Sequence, residues 1–189
     1  MIKRIDYVST EGGPLLFINW SVASEWKGVD QDSSDFDRAC DIFDSNQNLK
    51  GAEIEVGEDK GIVWEIGGPG TGIVFRKSVD QLVIVRPWLE DPEDEQSIER
   101  MAELPSTHPV QIGQLDIVAG LVILWAAENG QCIKDMNNIS YGRPTGSMCI
   151  DSAGLIVFLP EGRYLFLHDE VNDSSSTSFS WRCHIIPKS

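Results

Sequence analysis

Glycine and proline cut this chain into short apolar runs, and that punctuation restricts it to a sheet-rich fold. Leu15-Leu16-Phe17-Ile18 follows Gly12-Gly13-Pro14, Gly61 to Ile66 and Thr71 to Arg76 flank Gly67-Gly68-Pro69-Gly70, and Leu82 to Trp88 is a further strong run. Such lengths, bounded by turn residues and rich in β-branched side chains, suit strands better than helices. Ala52-Glu53-Ile54-Glu55-Val56 alternates apolar and acidic residues, the mark of a strand with one wet face. Tyr7 to Ser9, Gln114 to Val118, Leu121 to Ala126, Ser147 to Ile150, Leu155 to Leu159, Arg163 to His168 and Thr177 to Ile186 complete the set. The expectation is an α+β fold, predominantly antiparallel β-sheet with two or three short helices.

The helices announce themselves by a different period. In Ser34-Asp35-Phe36-Asp37-Arg38-Ala39-Cys40-Asp41-Ile42-Phe43, the residues Phe36, Ala39, Cys40 and Phe43 fall on one stripe, while Asp37 and Asp41 share the outer face. Ser34 with Asp37 three residues on reads as a capping-box-like start. Ser21 to Trp26 reads as one helical turn closed by Gly28. Ile98, Met101 and Ala102 give a second short helix beginning near Ser97. Pro105 and Pro109 then bracket a linker. The chain reads as a single domain over residues 1–189. Two similar β-rich halves, 1–103 and 110–189, are the alternative, suggested by Gly12 and Gly113, and by Gly61 and Gly162, recurring at one offset. With 17 glycines, coincidence explains the recurrence more simply.

Three segments in order carry a resemblance: Gly12-Gly13-Pro14-Leu15, Trp26-Lys27-Gly28 and Asp35-Phe36-Asp37-Arg38-Ala39-Cys40. They resemble the pattern of the immunity protein 21 family, small bacterial proteins that protect a cell from a secreted or contact-delivered toxin. Phe36 stands where that pattern more usually has Tyr, which removes a hydroxyl and keeps the packing role. The resemblance implies a non-enzymatic antitoxin that meets one cognate toxin.

Charge agrees with a protein partner. The 189 residues carry 30 acids against 15 bases, a net −15, and 22 of the acids lie in residues 1–103. That field repels phosphate backbones and anionic lipid, so nucleic acid and membrane surfaces are excluded as partners. It attracts a basic protein and speeds encounter with it, although acidity also serves plain solubility. No apolar run reaches the length of a membrane span, and Asp6 interrupts the start before a secretory core forms. A cytoplasmic protein, monomer or weak homodimer, is expected. Cys40, Cys132, Cys149 and Cys183 are widely spaced and lack metal-ligand spacing, so reduced thiols and no metal are expected.

Nothing in the chain assembles a catalytic set. His108 precedes a proline, His168 ends a strand, and His184 lies within the last one. The Gly67–Gly72 loop lacks the lysine of a phosphate loop. Asp30, Asp32 and Asp35 lack the downstream glycine and glutamate of a calcium loop. No cofactor is expected. The carboxylates instead form two blocks. Asp30, Asp32, Asp35, Asp37 and Asp41, continuing to Asp44, make one; Glu90, Asp91, Glu93, Asp94 and Glu95 make the other. These are the candidate partner-binding residues, with any exposed tryptophan as an anchor. A small acidic enzyme or ligand-binding module, its site assembled from residues distant in sequence, is the competing reading.

Overall fold

The computed structural model describes residues 2–30, 34–67, 70–88, 95–118, 120–131, 154–172 and 179–188. Eleven strands appear among them: β1 (Lys3–Thr10), β2 (Leu15–Asn19), β3 (Gly51–Val56), β4 (Asp59–Trp64), β5 (Gly70–Ser78), β6 (Gln81–Trp88), β7 (Val110–Ile117), β8 (Leu121–Trp125), β9 (Gly154–Val157), β10 (Gly162–Asn172) and β11 (Phe179–Pro187). They form two antiparallel sheets. One has the order β1-β5-β6-β11-β10-β7 and the other β3-β4-β2-β8-β9. Both sheets take strands from either side of the 104–110 connection. The expected strand Ser147–Ile150 lies outside the described residues.

The apolar runs are continuous because most central strands bury both faces. In β2, Leu15 and Phe17 enter the interior between the sheets, whereas Leu16 and Ile18 point the other way. Leu121 and Ile123 alternate with Val122 and Leu124 in β8, and Leu82 and Ile84 alternate with Val83 and Val85 in β6. Each outer face is then closed by a helix. Helix α1 (Asp35–Asp44), with the 3-10 helix Trp20–Glu25, covers the five-stranded sheet through Ala23, Ala39 and Phe43. Helix α2 (Glu95–Glu103) covers the six-stranded sheet through Ile98, Met101 and Ala102. The result is four layers, helix–sheet–sheet–helix.

One side of the sandwich is drawn shut where β3 meets β7. A Cβ on Gly51 would sit 2.7 Å from the Ile112 side chain, and one on Gly113 would sit 2.9 Å from Ile62. The missing side chains let the two sheets touch. Glu53 then reaches across, accepting from the Gln114 backbone N–H at 3.3 Å and from Lys60 Nζ at 2.8 Å.

The amino end of α1 corrects the capping-box expectation. Ser34 makes no side-chain cap. The Phe36 N–H donates instead to the Gly28 carbonyl at 3.2 Å, so the preceding segment satisfies the helix end and the serine is not needed. Phe36 and Cys40 are half-buried, against the full burial that the stripe predicts, while Ala39 and Phe43 go into the core.

Helix α2 is fastened by a buried charge. Arg182 on β11 is 0% exposed and donates to the Met101 and Leu104 carbonyls at 2.8 and 2.7 Å, taking up carbonyls that the helix end leaves free. Its remaining donors form a two-pronged pair with Asp169 on β10, at 2.9 and 2.6 Å. Ser106 and His184 complete the coordination of that carboxylate. Removing one member strands the other in the interior. Arg182→Met is therefore expected to cost about 3–5 kcal/mol in urea unfolding, and the double variant Arg182→Met/Asp169→Leu to recover part of that loss.

Candidate functional site

The first acidic block is described around α1, and of the second only its last residue is described. Asp30, Asp37 and Asp41 are exposed on or beside α1, and Asp44 ends that helix. Asp35 is half-buried and structurally engaged: its Oδ2 accepts from the Lys27 backbone N–H at 2.8 Å and its Oδ1 from Arg38 at 2.7 Å. Asp32 lies outside the described residues, as do Glu90, Asp91, Glu93 and Asp94. Of the second block Glu95 is described. It opens α2, on the opposite outer face from α1, and pairs with Arg4 at 2.7 Å.

What the fold does bring together is the set of three motifs singled out in the sequence. They converge on the end of β8. Gly12 accepts from the Trp125 indole at 2.6 Å, and the Pro14 carbonyl accepts from the Ala126 N–H at 3.0 Å. Trp26, fully buried, donates its indole N–H to the Ala126 carbonyl at 2.8 Å, while its own carbonyl accepts from Gly130 N–H at 2.9 Å. Gly28 adopts φ +62°, and a Cβ there would collide with the carbonyl oxygens of Ala127 and Glu128. Gly13, at φ +83°, lies under the Phe36 ring, where a Cβ would come within 2.9 Å. Arg38 closes the group, its guanidinium 6.0 Å over the Trp26 ring. Trp125 to Gly130, the receiving segment, carried no signal in the sequence. Apart from the Trp125 indole, its contribution is backbone carbonyls and N–H groups, which any residue supplies.

Burial and pairing shift the titratable groups inside the fold: burial lowers the pKa of Arg86, 1% exposed, to about 10. Burial pulls the His168 pKa down, opposed by Glu170. The geometry agrees: Trp64 Nε1–H donates to His168 Nδ1 at 3.1 Å, so the lone pair that would take a proton is already used. Burial also lowers His184, against the pull of Asp169. Burial would raise Asp169, but the hydrogen bonds from His184, Arg182 and Ser106 overcome it and hold this carboxyl well below the usual range. Burial, then Glu65 and Asp44, push the Cys40 thiol up, which keeps it a weak nucleophile. Cys183 is wholly buried and raised further. Cys40 and Cys183 are free thiols; Cys132 and Cys149 lie outside the described residues. Among the described residues, no three His, Cys, Asp or Glu side chains are grouped to hold a metal ion, and no helix is long and apolar enough to cross a membrane.

The sequence model of immunity protein 21 matches residues 6–164, a span that holds all three motifs and the segment that receives them. The chain belongs to the immunity protein 21 family. No curated protein and no solved structure matches it. Within this immunity protein the family motifs are largely spent on folding. Gly12 to Pro14, Trp26 to Gly28 and Asp35 lock one end of the sandwich through bonds to the main chain, which leaves Asp37 as the motif-borne carboxylate open to solvent, with Asp41 one turn on.

Two outcomes follow from this geometry. Gly28→Ala meets both a positive φ and the two carbonyl oxygens, so a loss above about 2 kcal/mol is expected in denaturant unfolding. The pH dependence comes from the histidines. The unfolded chain takes up protons on His168 and His184 as pH falls through roughly 6.5, while the folded chain resists. Stability is therefore fully present above that pH and falls below it, with Asp169 adding a further loss once pH drops under about 4. Urea midpoints from pH 8 to 4 should show this slope, and His168→Gln should flatten its upper part.

Proposed function

We propose that this immunity protein acts in the cytoplasm as an antitoxin, binding one cognate toxin of basic character and neutralising it by non-covalent occlusion. Membership of the family supplies the class, and the observation that carries the mechanism is the net charge of −15 with its excess in residues 1–103. Exposed Asp30, Asp37, Asp41 and Asp44 line the α1 side, and Glu90, Asp91, Glu93, Asp94 and Glu95 form the second acidic run of the sequence. An occluding protein must reach the toxin before the toxin reaches its target. Long-range attraction raises the association rate, and a few desolvated anchors then set residence time.

Either carboxylate block is a candidate for the main charge of the contact surface. Co-expression with the toxin encoded beside it is the test: the chain should rescue growth and copurify as a stable complex. Association should slow as salt rises, since exposed charges are screened beyond about 8 Å at physiological ionic strength. Asp37→Asn/Asp41→Asn/Asp44→Asn should lower the association rate more than it raises the dissociation rate, and the same holds for neutralising Glu90 to Glu95. Folded protein that neither rescues nor binds would overturn the proposal; rescue with salt-independent association would retain the antitoxin and discard the steering.

A further inference from the structure

The six-stranded sheet runs past the end of its partner sheet, and the overhang is aromatic. Strand β4 ends at Trp64, which lies against His168 and 6.0 Å from the Arg86 guanidinium. Strands β6 and β11 continue beyond that level to Trp88 and Phe179, which are directly paired across the ladder. Alternation places Trp88, Phe179 and Trp181 on the face that meets the second sheet; Trp181, opposite the buried Arg86, packs against the core, and Trp88 and Phe179 lie one step further along the ladder. Trp88 is 69% exposed there, although most large apolar side chains are buried. Phe179 and Trp181 sit edge to face at 4.6 Å, which fixes both rings.

A carboxylate borders this shelf. Glu170 lies opposite Trp181 in the β10–β11 register and is exposed, with its Oε1 3.8 Å from His168 Nε2. Of the neighbouring cations, Arg86 is buried opposite Trp181 at 1% exposure and Lys50 is half-buried, whereas Glu170 is exposed. The open charge on the shelf is thus negative. Aromatic faces with one carboxylate at their edge form a seat for a guanidinium or ammonium group, which stacks on the rings and pairs with the carboxylate.

We propose that Trp88, Phe179, Trp181 and Glu170 form the anchoring contact for the toxin, seating an arginine or lysine side chain of its surface. This rests on the antitoxin reading above and assigns it a place. The shelf lies at the strand ends and is distinct from the α1 carboxylates, which act at longer range. Buried tryptophan anchors commonly dominate such interfaces, and their loss acts through dissociation.

The test uses the full chain and a catalytically inactivated form of the neighbour-encoded toxin. Trp88→Ala, which removes an exposed ring, should keep the wild-type unfolding midpoint and weaken binding by about 30-fold or more, mostly in the dissociation rate. Trp88→Lys should weaken it further by placing a cation against a cation, and Glu170→Gln should cost several-fold. Val79→Ala, an exposed apolar residue at the opposite end of the sheet, serves as control and should bind as wild type. If wild type binds and Trp88→Ala and Trp88→Lys bind equally well, the shelf is not the anchor, while the antitoxin reading stands. If Trp88→Lys binds more tightly than Trp88→Ala, the seated group is not cationic and the proposal is overturned. If wild type itself neither binds nor rescues growth, both readings fall together.

Discussion

A sheet with two apolar faces cannot be satisfied by one neighbour, and this constraint organises the whole molecule. Strands β2, β6 and β8 each direct alternate residues to opposite sides, and their stretches Leu15 to Asn19, Leu82 to Arg86 and Leu121 to Leu124 are fully or almost fully buried. Leaving one face wet would forfeit about 1.5–3 kcal/mol for each Leu, Ile or Val exposed. A two-layer sandwich is therefore not an available end state. Each outer face needs its own cover, and two amphipathic helices of modest length are the cheapest way to supply it. The helices are too short to be stable alone; they exist because the sheets require lids, and their polar faces become two opposite sides of the protein's surface.

The strands were legible because their lengths and punctuation are local properties. So was α2, whose stripe Ile98, Met101 and Ala102 lies where the period places it. The pairing was not legible. Glycine and proline mark where a strand stops but not which sheet receives the next one: Gly12 to Pro14 joins β1 of one sheet to β2 of the other rather than closing a hairpin. Continuous apolar runs hide the assignment further, since they lack the wet face that would distinguish inside from outside. The clasp around Trp125 to Gly130 was invisible for a different reason, because its chemistry is carbonyl and amide and leaves little trace in side-chain identity. The overhang of Trp88 needed both sheet lengths, which depend on partners remote in sequence.

The contrast between clasp and surface bears on how a toxin-binding family can vary. Motif residues that hold backbone to backbone are fixed by sterics, as Gly28 against the Ala127 and Glu128 carbonyls illustrates. Exposed positions on α1 and at the ends of β6, β10 and β11 carry no such restriction. A scaffold of this kind can keep its signature while its contact chemistry is rewritten, so family resemblance identifies the frame more readily than the partner.

Strand β11, the most C-terminal of the fold, lies between β6 and β10 rather than at an edge. Until it is made, the six-stranded sheet is two separate pieces, Arg182 is absent from beneath α2, and the long edges of β6 and β10 are unpaired. On a ribosome adding roughly 5–20 residues per second, the first motifs wait on the order of ten seconds for β11 before the six-stranded sheet can close. The six-stranded sheet therefore closes in one step when β11 is added, rather than growing strand by strand with the chain. A copy that lacks β11 has no completed six-stranded sheet and no buried Arg182 beneath α2.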